Sequence, residues 1–392
     1  MFKETSAIVG INLRSIPQRW VPSLVIVVGL AGVVAVFTAL LAMAEGFRAT
    51  VAATGRNDVA IVLRGGSSAE LNSGLTREAA QLIAQGPGIR RDSDNKPIVS
   101  AELIVIAELL KRDVDSSANI TVRGVHPRNG FLLRPNLKIT DGRAFEPGLR
   151  ELVVGRGVTQ QFDGAQLGET VRMRGSDWRI VGIFDSHDGH DSELWADADV
   201  AQSTFARQGY SSVSALLETP ASLKGLADAL NRDPRLAVDV EREVDYYSAQ
   251  TKQFRATIGV LAGVVTLIMG LGAVFAALNT MYAAVAARAR EIATLRAIGF
   301  GGLPVVTSVL LEALLLSLIG GAIGAAIAYV LFNNVTASTL GSSFTQIVFS
   351  FRVTPGLVLR GLMIAVIVGM VGGLLPAIRA ARLPVTTALR AL

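Results

Sequence analysis

The run IGVLAGVVTLIMGLGAVFAALNTMYAAVAA (258–287), followed at once by RAREIATLRAIGF (288–300), decides how this chain is read. Thirty residues pass without a charge; then Arg288, Arg290, Glu291 and Arg296 come within nine. About 20 apolar residues suffice to cross a bilayer, so the run reads as a membrane span. It is too long for that task alone. At 1.5 Å per residue a helix of this length reaches roughly 45 Å, against a hydrocarbon core of about 30 Å. Upstream, Tyr246 to Arg255 also reads as helical. The outer end of the helix is therefore expected to leave the membrane as a stalk.

Working outward, three more apolar runs appear. Residues 21–44 carry no charge, 303–332 carry one acid, Glu312, and 357–378 carry Arg360 near their start. The first run is not read as a cleaved leader, because its apolar stretch exceeds the ~7–15 residues of a signal h-region. Four spans follow, at 21–44, 256–287, 303–332 and 357–378.

The charges divide the same way. Of 392 residues, 51% are hydrophobic and only 18% charged, where a soluble domain carries about 25%. Residues 45–255 hold 26 Lys and Arg against 29 Asp and Glu, while the other 181 residues hold 11 against 3. A polar block thus sits inside an apolar, basic frame, which excludes a purely soluble enzyme and a disordered chain. The basic excess lies beside apolar runs, where it sets membrane orientation, so no nucleic-acid partner is expected. With no cysteine, disulfides, zinc–thiolate sites and thiol catalysis are excluded.

Lys3, Arg14 and Arg19 precede the first span, Arg288, Arg290 and Arg296 lie between the second and third, and Arg379, Arg382 and Arg390 follow the fourth. Four spans place all three groups on one side, and the positive-inside rule makes that side cytoplasmic. The expected organisation is a cytoplasmic or interfacial helix within 1–20, the first span, an outward α+β domain over 45–255, the second span at 256–287, a cytoplasmic segment at 288–302, the third span, a short outward loop at 333–356, the fourth span, and a cytoplasmic tail at 379–392. Within 3–16, Ala7, Ile8, Ile11 and Ile16 can lie in the lipid interface with Lys3, Glu4 and Arg14 in water.

Inside the outward domain, Asp58–Arg64, Val99–Leu110, Ile120–Val125, Glu151–Val154, Glu169–Met173 and Trp178–Phe184 read as strands. Thr76–Gln85, Val200–Gln208 and Ala221–Asn231 read as helices, the first capped by Thr76 and ended by Gly86-Pro87-Gly88. A domain of two lobes is one expectation. The stretch DSHDGHDSE (185–193) packs two of the three histidines among four acids. His and carboxylate can ligate a divalent ion, but the segment follows a strand without a helical scaffold, and it is read as a solvated loop with no metal. His126, beside Pro127, is read as structural. There is no G-x-S-x-G and no G-x-x-x-x-G-K-[ST], so neither a hydrolase elbow nor a P-loop is present.

In 288–302, Ile292, Leu295 and Ile298 fall on one helical face, Arg290, Glu291 and Arg296 on the others, and Gly299 suits the left-handed turn that stops a helix. Arg290, Glu291 and Arg296 are candidate polar contacts for a docking partner, with Ile292, Leu295 and Ile298 as apolar anchors. Glu312, about two turns into the third span, is costly in lipid; an ion pair with Arg288 or Arg290, a dimer contact, or snorkelling to the surface are its readings. Gly320, Gly321 and Gly324, like Gly369, Gly372 and Gly373, permit close helix packing, within one chain or between two.

REIATLRAIGF (290–300) resembles the segment R-E-I-x-x-L-R-A-[IL]-G of the MacB/FtsX-type ABC transporter permeases, and PAIRAARLPVTTALRAL (376–392) resembles the closing pattern of that family. DGRAFEPGLRELVVG (141–155), LGETVRM (167–173), WRIVGIF (178–184) and SELWADADV (192–200) are similar to its outer domain. The resemblance implies a multi-pass protein of the bacterial inner membrane with both termini cytoplasmic, and a non-enzymatic permease of the mechanotransmission type. Two copies of a separate ATPase subunit would bind ATP and Mg, dock on 288–302, and move the outer domain to export a substrate or extract it from the outer leaflet; this chain would bind no cofactor itself. A second permease copy, a periplasmic adaptor, an outer-membrane channel and membrane lipids are the other implied partners. The alternative is a scaffold that regulates a cell-wall hydrolase.

Overall fold

The computed structural model describes residues 20–112, 115–298, 301–340 and 346–382. The interfacial helix expected within 1–20, Gly299 and the tail 383–392 lie outside the described residues, as does the side chain of Leu295.

In chain order the elements begin with α1 (Trp20–Thr54), β1 (Val59–Arg64), α2 (Arg77–Ala84), β2 (Val99–Leu110), β3 (Ser117–Val125), α3 (Asn129–Leu132), β4 (Lys138–Gly142) and β5 (Glu151–Gly155). Next come α4 (Arg156–Gln161), β6 (Thr170–Met173), β7 (Ser176–Asp185), β8 (Glu193–Asp197), α5 (Ala198–Thr204), β9 (Ser212–Leu216), α6 (Ser222–Arg232) and β10 (Val238–Arg242). The chain continues through α7 (Glu243–Ala287), α8 (Ala289–Ala297), α9 (Gly302–Phe332), the hairpin β11 (Thr336–Leu340) and β12 (Gln346–Ser350), and α10 (Pro355–Arg382).

Two compact units result. A helical unit contains 20–45, 255–335 and 351–382; an α/β unit contains 46–254 and 336–350. Among the described residues four helices, α1, α7, α9 and α10, are long and apolar enough to span a membrane. α7 runs unbroken for 45 residues, about 68 Å at 1.5 Å per residue. Its start at Glu243 lies even further upstream than the helical reading of Tyr246–Arg255.

The glycines of the spans are used inside the chain. A Cβ on Gly320 would lie 2.7 Å from the Val27 carbonyl oxygen, and one on Gly324 3.0 Å from Ala31 Cα, so α9 meets α1 backbone to backbone. In α10, Gly372 faces Ala277 of α7, and Gly373 faces Ala313 of α9. Such close approach replaces the hydrophobic drive that lipid does not provide. Ile26, Leu30, Val33, Val309, Leu316 and Ala365 build the core between these contacts.

The α/β unit is built on one ten-stranded sheet of order β10-β1-β9-β2-β3-β8-β5-β7-β4, with β6 on β7. β3–β8 and β5–β7 pair in parallel; the other pairs are antiparallel. β2 is the joint. Its residues 99–102 pair with β9, and 103–110 pair with β3. One apolar core lies under β1, β9, α2 and α6, around Ile83, Val213 and Leu226; another lies under β2, β3 and β5, around Ile120, Leu152 and Trp178. Both cores lie on the one continuous sheet, within a single compact unit.

Several segments differ from expectation. β4, β8, β9 and β10 were not expected: all are short, and β8 and β9 are buried at every position, so no period-2 signal marks those two, whereas β10 alternates over only five residues. The helix expected at 200–208 begins at Ala198, capped by Asp197, whose carboxylate accepts from the amides of Asp199 and Val200. The loop read at 333–356 contains the β11–β12 hairpin, whose Val348 amide donates to Ser192 Oγ at 2.8 Å within the α/β unit. α1 extends to Thr54, beyond the expected end at 44, and stops where Gly55 meets α7: a Cβ there would lie 2.5 Å from the Val244 backbone.

Candidate functional site

In the helical unit, α8 follows α7 after a single residue, Arg288. Arg288 Nη1 donates to Glu312 Oε2 of α9 at 3.1 Å and Nη2 to Oε1 at 3.4 Å, with both side chains buried. The carboxylate therefore does not snorkel; it ties the start of α8 to the third span. Ile292 and Ala293 turn inward and join the core of the unit. Arg290, Glu291, Thr294, Ala297 and Ile298 are exposed, and Arg296 is half-buried. Spacings of three and four residues place the exposed set on one stripe.

This arrangement corrects the sequence reading in one respect. Ile292 was expected among the anchors offered to a partner, but it anchors α8 to its own chain. Ile298, 70% exposed, remains available. Thr294 was missed. Its hydroxyl donates to the Arg290 carbonyl at 2.9 Å, a bond that an exposed mid-helix threonine makes to its own turn.

In the α/β unit, the sheet face opposite the Ile120 core carries charge. Alternation along β2 and β3 sends Leu103, Val105, Ile120 and Val122 into that core, and Glu102 and Arg123 to the other face. Arg123 donates from Nε and Nη2 to Glu193 at 2.8 and 2.9 Å, from Nη1 to Glu102 at 2.8 Å, and from Nη1 and Nη2 to Glu70 at 3.0 and 3.2 Å. Arg134 donates to Glu102 at 2.6 and 2.9 Å, to Glu243 at 3.5 Å and to His190 Nε2 at 3.2 Å, and its guanidinium lies 5.3 Å from the Trp195 ring centroid.

The helix ends are bound into this cluster. Glu243, the first residue of α7, accepts from the Arg56 amide at 3.1 Å, and Thr54, the last of α1, accepts from the Gly189 amide at 2.9 Å. Burial alone would push Glu102 up, yet Arg134 and Arg123 hold it below the ordinary carboxylate value. Glu243 has fewer partners, and burial leaves it raised.

The 185–193 stretch is not the solvated loop expected. Ser186, Asp188, His190, Ser192 and Glu193 are buried, and Gly189–Ser192 form a 3-10 turn. The reason is local pairing: Asp188 Oδ1 takes the His190 amide at 2.8 Å and the ring Nδ1 at 3.0 Å, while Trp195 packs edge-on against the imidazole. His187 stays exposed, with Nδ1 2.8 Å from Asp185. Ligand atoms of Asp185, His187 and Asp191 lie within 4.8 Å of one another, but Asp191 already accepts from the amides of Ser186 and His187 and the Ser186 hydroxyl. His126 Nδ1 accepts from the Arg128 and Asn129 amides, a structural turn.

Burial opposes the charge on His190, yet Asp188 and Glu193 raise it above 6.5, and the same pairing lowers Asp188 below 3.8. The aspartate contribution to stability is present above 3.8 and lost as pH falls through its folded value. The histidine contribution is full below 6.5 and lost as pH rises through its folded value. Asp191, raised by burial to about 6, opposes folding once ionised. The α/β unit is expected to lose stability above pH 6.5, and His190→Gln to flatten that alkaline limb. A wild-type unfolding midpoint that stays constant as pH rises from neutral through the alkaline range would contradict this.

Residues 23–233 match the family model of the MacB-like periplasmic core domain, and residues 263–385 that of the FtsX-like permease C-terminal region. The uncharacterized ABC transporter permease YknZ of Bacillus subtilis (strain 168) is 27% identical over 296 residues, 70% of this chain and 71% of that protein. The macrolide export ATP-binding/permease protein MacB of Rhodopseudomonas palustris (strain HaA2) is 26% identical over 393 residues, 93% of this chain and 56% of that one. The chain thus spans little more than half the length of this MacB relative. The solved extracellular domain of the transporter YknZ from Gram-positive bacteria is 20% identical, covering 47% of this chain and all of that one, with a TM-score of 0.36.

Proposed function

This chain belongs to the MacB/FtsX-type ABC transporter permeases, and we propose on that premise that α8 is its coupling helix. It is a membrane protein whose α/β domain is inserted between the first and second spanning helices. Membership implies a partner ATPase; within these 392 residues there is no P-loop, so ATP and Mg are assigned to that partner. The observation that carries the reading is the orientation of α8. Its polar stripe, Arg290, Glu291 and Thr294, stands exposed beside Ile298, while Ile292 and the Arg288–Glu312 pair hold the opposite side to the bundle. A helix so fixed on one face transmits displacement applied to the other. Arg296 and Leu295 belong to the same segment, and Gly299 follows it.

From α8 the displacement passes into α7, a helix without a break from Ala287 to Glu243, and at Glu243 into the charged cluster of the α/β unit. The work is then mechanical: movement of the outward domain, driven by nucleotide turnover inside the cell, that exports a substrate or lifts it from the outer leaflet. This reading places both termini and α8 in the cytoplasm and the α/β unit outside the inner membrane. A second copy of the chain, an adaptor and an outer-membrane channel complete the assembly it proposes. The regulatory alternative gains no support from relatives named as permeases.

Glu291→Lys and Ile298→Asp alter only exposed side chains, so the permease should remain folded. Each should weaken association with the co-expressed ATPase by at least about tenfold, the factor that ~1.4 kcal/mol of lost contact yields. Permease-dependent ATPase activity in reconstituted vesicles should fall with it. Wild-type association and turnover in both variants would remove α8 from the coupling role.

A further inference from the structure

The charged cluster of the α/β unit borders a cavity of about 70 Å³ whose walls include Thr54, Glu70, Glu193, Tyr246, Tyr247 and Gln346. A single water needs about 10–15 Å³ of such space, so there is room for a small ion with some of its water. Two features of the walls select the occupant.

The first is an excess of negative charge. Four glutamates, Glu70, Glu102, Glu193 and Glu243, share two guanidiniums, Arg123 and Arg134, and His190 is matched by its own partner Asp188. The excess would remain even with one of the glutamates protonated. Uncompensated charge in a buried site is costly unless a counter-ion enters.

The second is unused acceptor capacity. Gln346 is buried and its Oε1 has no hydrogen-bond partner among the described residues. Glu70 Oε2 and Glu193 Oε1 each accept one hydrogen bond, from Arg123 Nη2, where a carboxylate oxygen can take two. Among the described residues Arg123 is the one cation lining the cavity, and all of its donor groups are engaged with carboxylates.

We propose that this cavity binds a small hard cation through oxygen ligands, with Gln346 Oε1 as one of them. Oxygen donors without thiolate, and without imidazole at the cavity wall, favour sodium, potassium or calcium over zinc or copper. Thr54 ends α1, Tyr246 and Tyr247 lie in the first turns of α7, and Gln346 opens β12. A bound ion would therefore brace both helix ends against the hairpin and the sheet. The proposal is independent of the coupling role of α8.

The test is thermal unfolding of the full chain in nanodiscs, titrated with sodium, potassium or calcium chloride against N-methylglucamine chloride at matched ionic strength. One of the three ions should raise the midpoint saturably. Gln346→Leu should weaken that response by about tenfold or more, and Gln346→Glu should strengthen it, since a carboxylate then faces the ion. His187→Ala should leave it unchanged. A midpoint indifferent to the cation would mean that the cavity holds only water, and would overturn the proposal. So would an ion response lost in His187→Ala but kept in Gln346→Leu, because the ion would then sit at the Asp185–His187–Asp191 cluster. If Gln346→Leu does not fold, an unaltered ion response in Gln346→Glu overturns it equally.

Discussion

Replacing Arg123 with leucine should unfold the α/β unit. The side chain is buried and gives hydrogen bonds to three glutamates on three different elements, Glu70 after β1, Glu102 on β2 and Glu193 on β8. Losing one partner of a buried pair costs about 3–5 kcal/mol because the other charge is left unmatched. Here three carboxylates lose a shared partner, and domains have only about 5–15 kcal/mol to lose. The substitution should abolish the cooperative unfolding transition of the α/β unit and expose 46–254 to protease, while the apolar helices still insert. Arg123→Lys should recover only part of the stability, since an ammonium cannot match the fork of contacts that a guanidinium makes. A midpoint for Arg123→Leu within a few degrees of wild type would show that the cluster contributes little.

The second large effect is expected at the Arg288–Glu312 pair. Arg288→Ala removes the guanidinium from a carboxylate buried inside the spanning bundle, and the cost of about 3–5 kcal/mol applies with no bulk water nearby to repay it. The same substitution frees the start of α8. Both stability in detergent and permease-dependent ATPase turnover should therefore fall. The double variant Arg288→Met with Glu312→Leu should restore most of the stability, because apolar residues of similar volume replace buried pairs well. It should restore less of the turnover, since the directional tie between α8 and α9 is gone. If the double variant is no more stable than Arg288→Ala, the loss comes from packing and not from the stranded charge.

These residues were not equally legible. Glu312 stood out as the one acid in an apolar span, and Arg288 and Arg290 were its two candidate partners. Arg288 is the one the fold selects, since it occupies the single residue between α7 and α8 and is buried with the carboxylate. Arg290, Glu291 and Ile298 were legible as a helical segment; the burial of Ile292 was not, because an amphipathic helix of nine residues has an apolar side whether it faces its own bundle or a partner. The charged cluster left a fainter trace. Glu102 beside LIVIA in β2 and Arg123 after Val122 in β3 place charges next to buried apolar residues, which signals a second, polar buried face. Nothing in that trace pairs them with Glu243, which lies 109 residues beyond Arg134.

What the sequence determined by itself was the class: apolar length and charge asymmetry are sums over contiguous residues, and a bilayer reads them without reference to tertiary contacts. The four spans, the inserted polar block and the surplus length of α7 follow from such sums. Tertiary structure alone decided the rest. The joint at β2, the use of span glycines within one chain, the burial of His190 and the charge cluster at the helix ends all depend on residues far apart in sequence. Their meeting is set by strand order and helix packing, where the energies are those of buried partners matched or left unmatched.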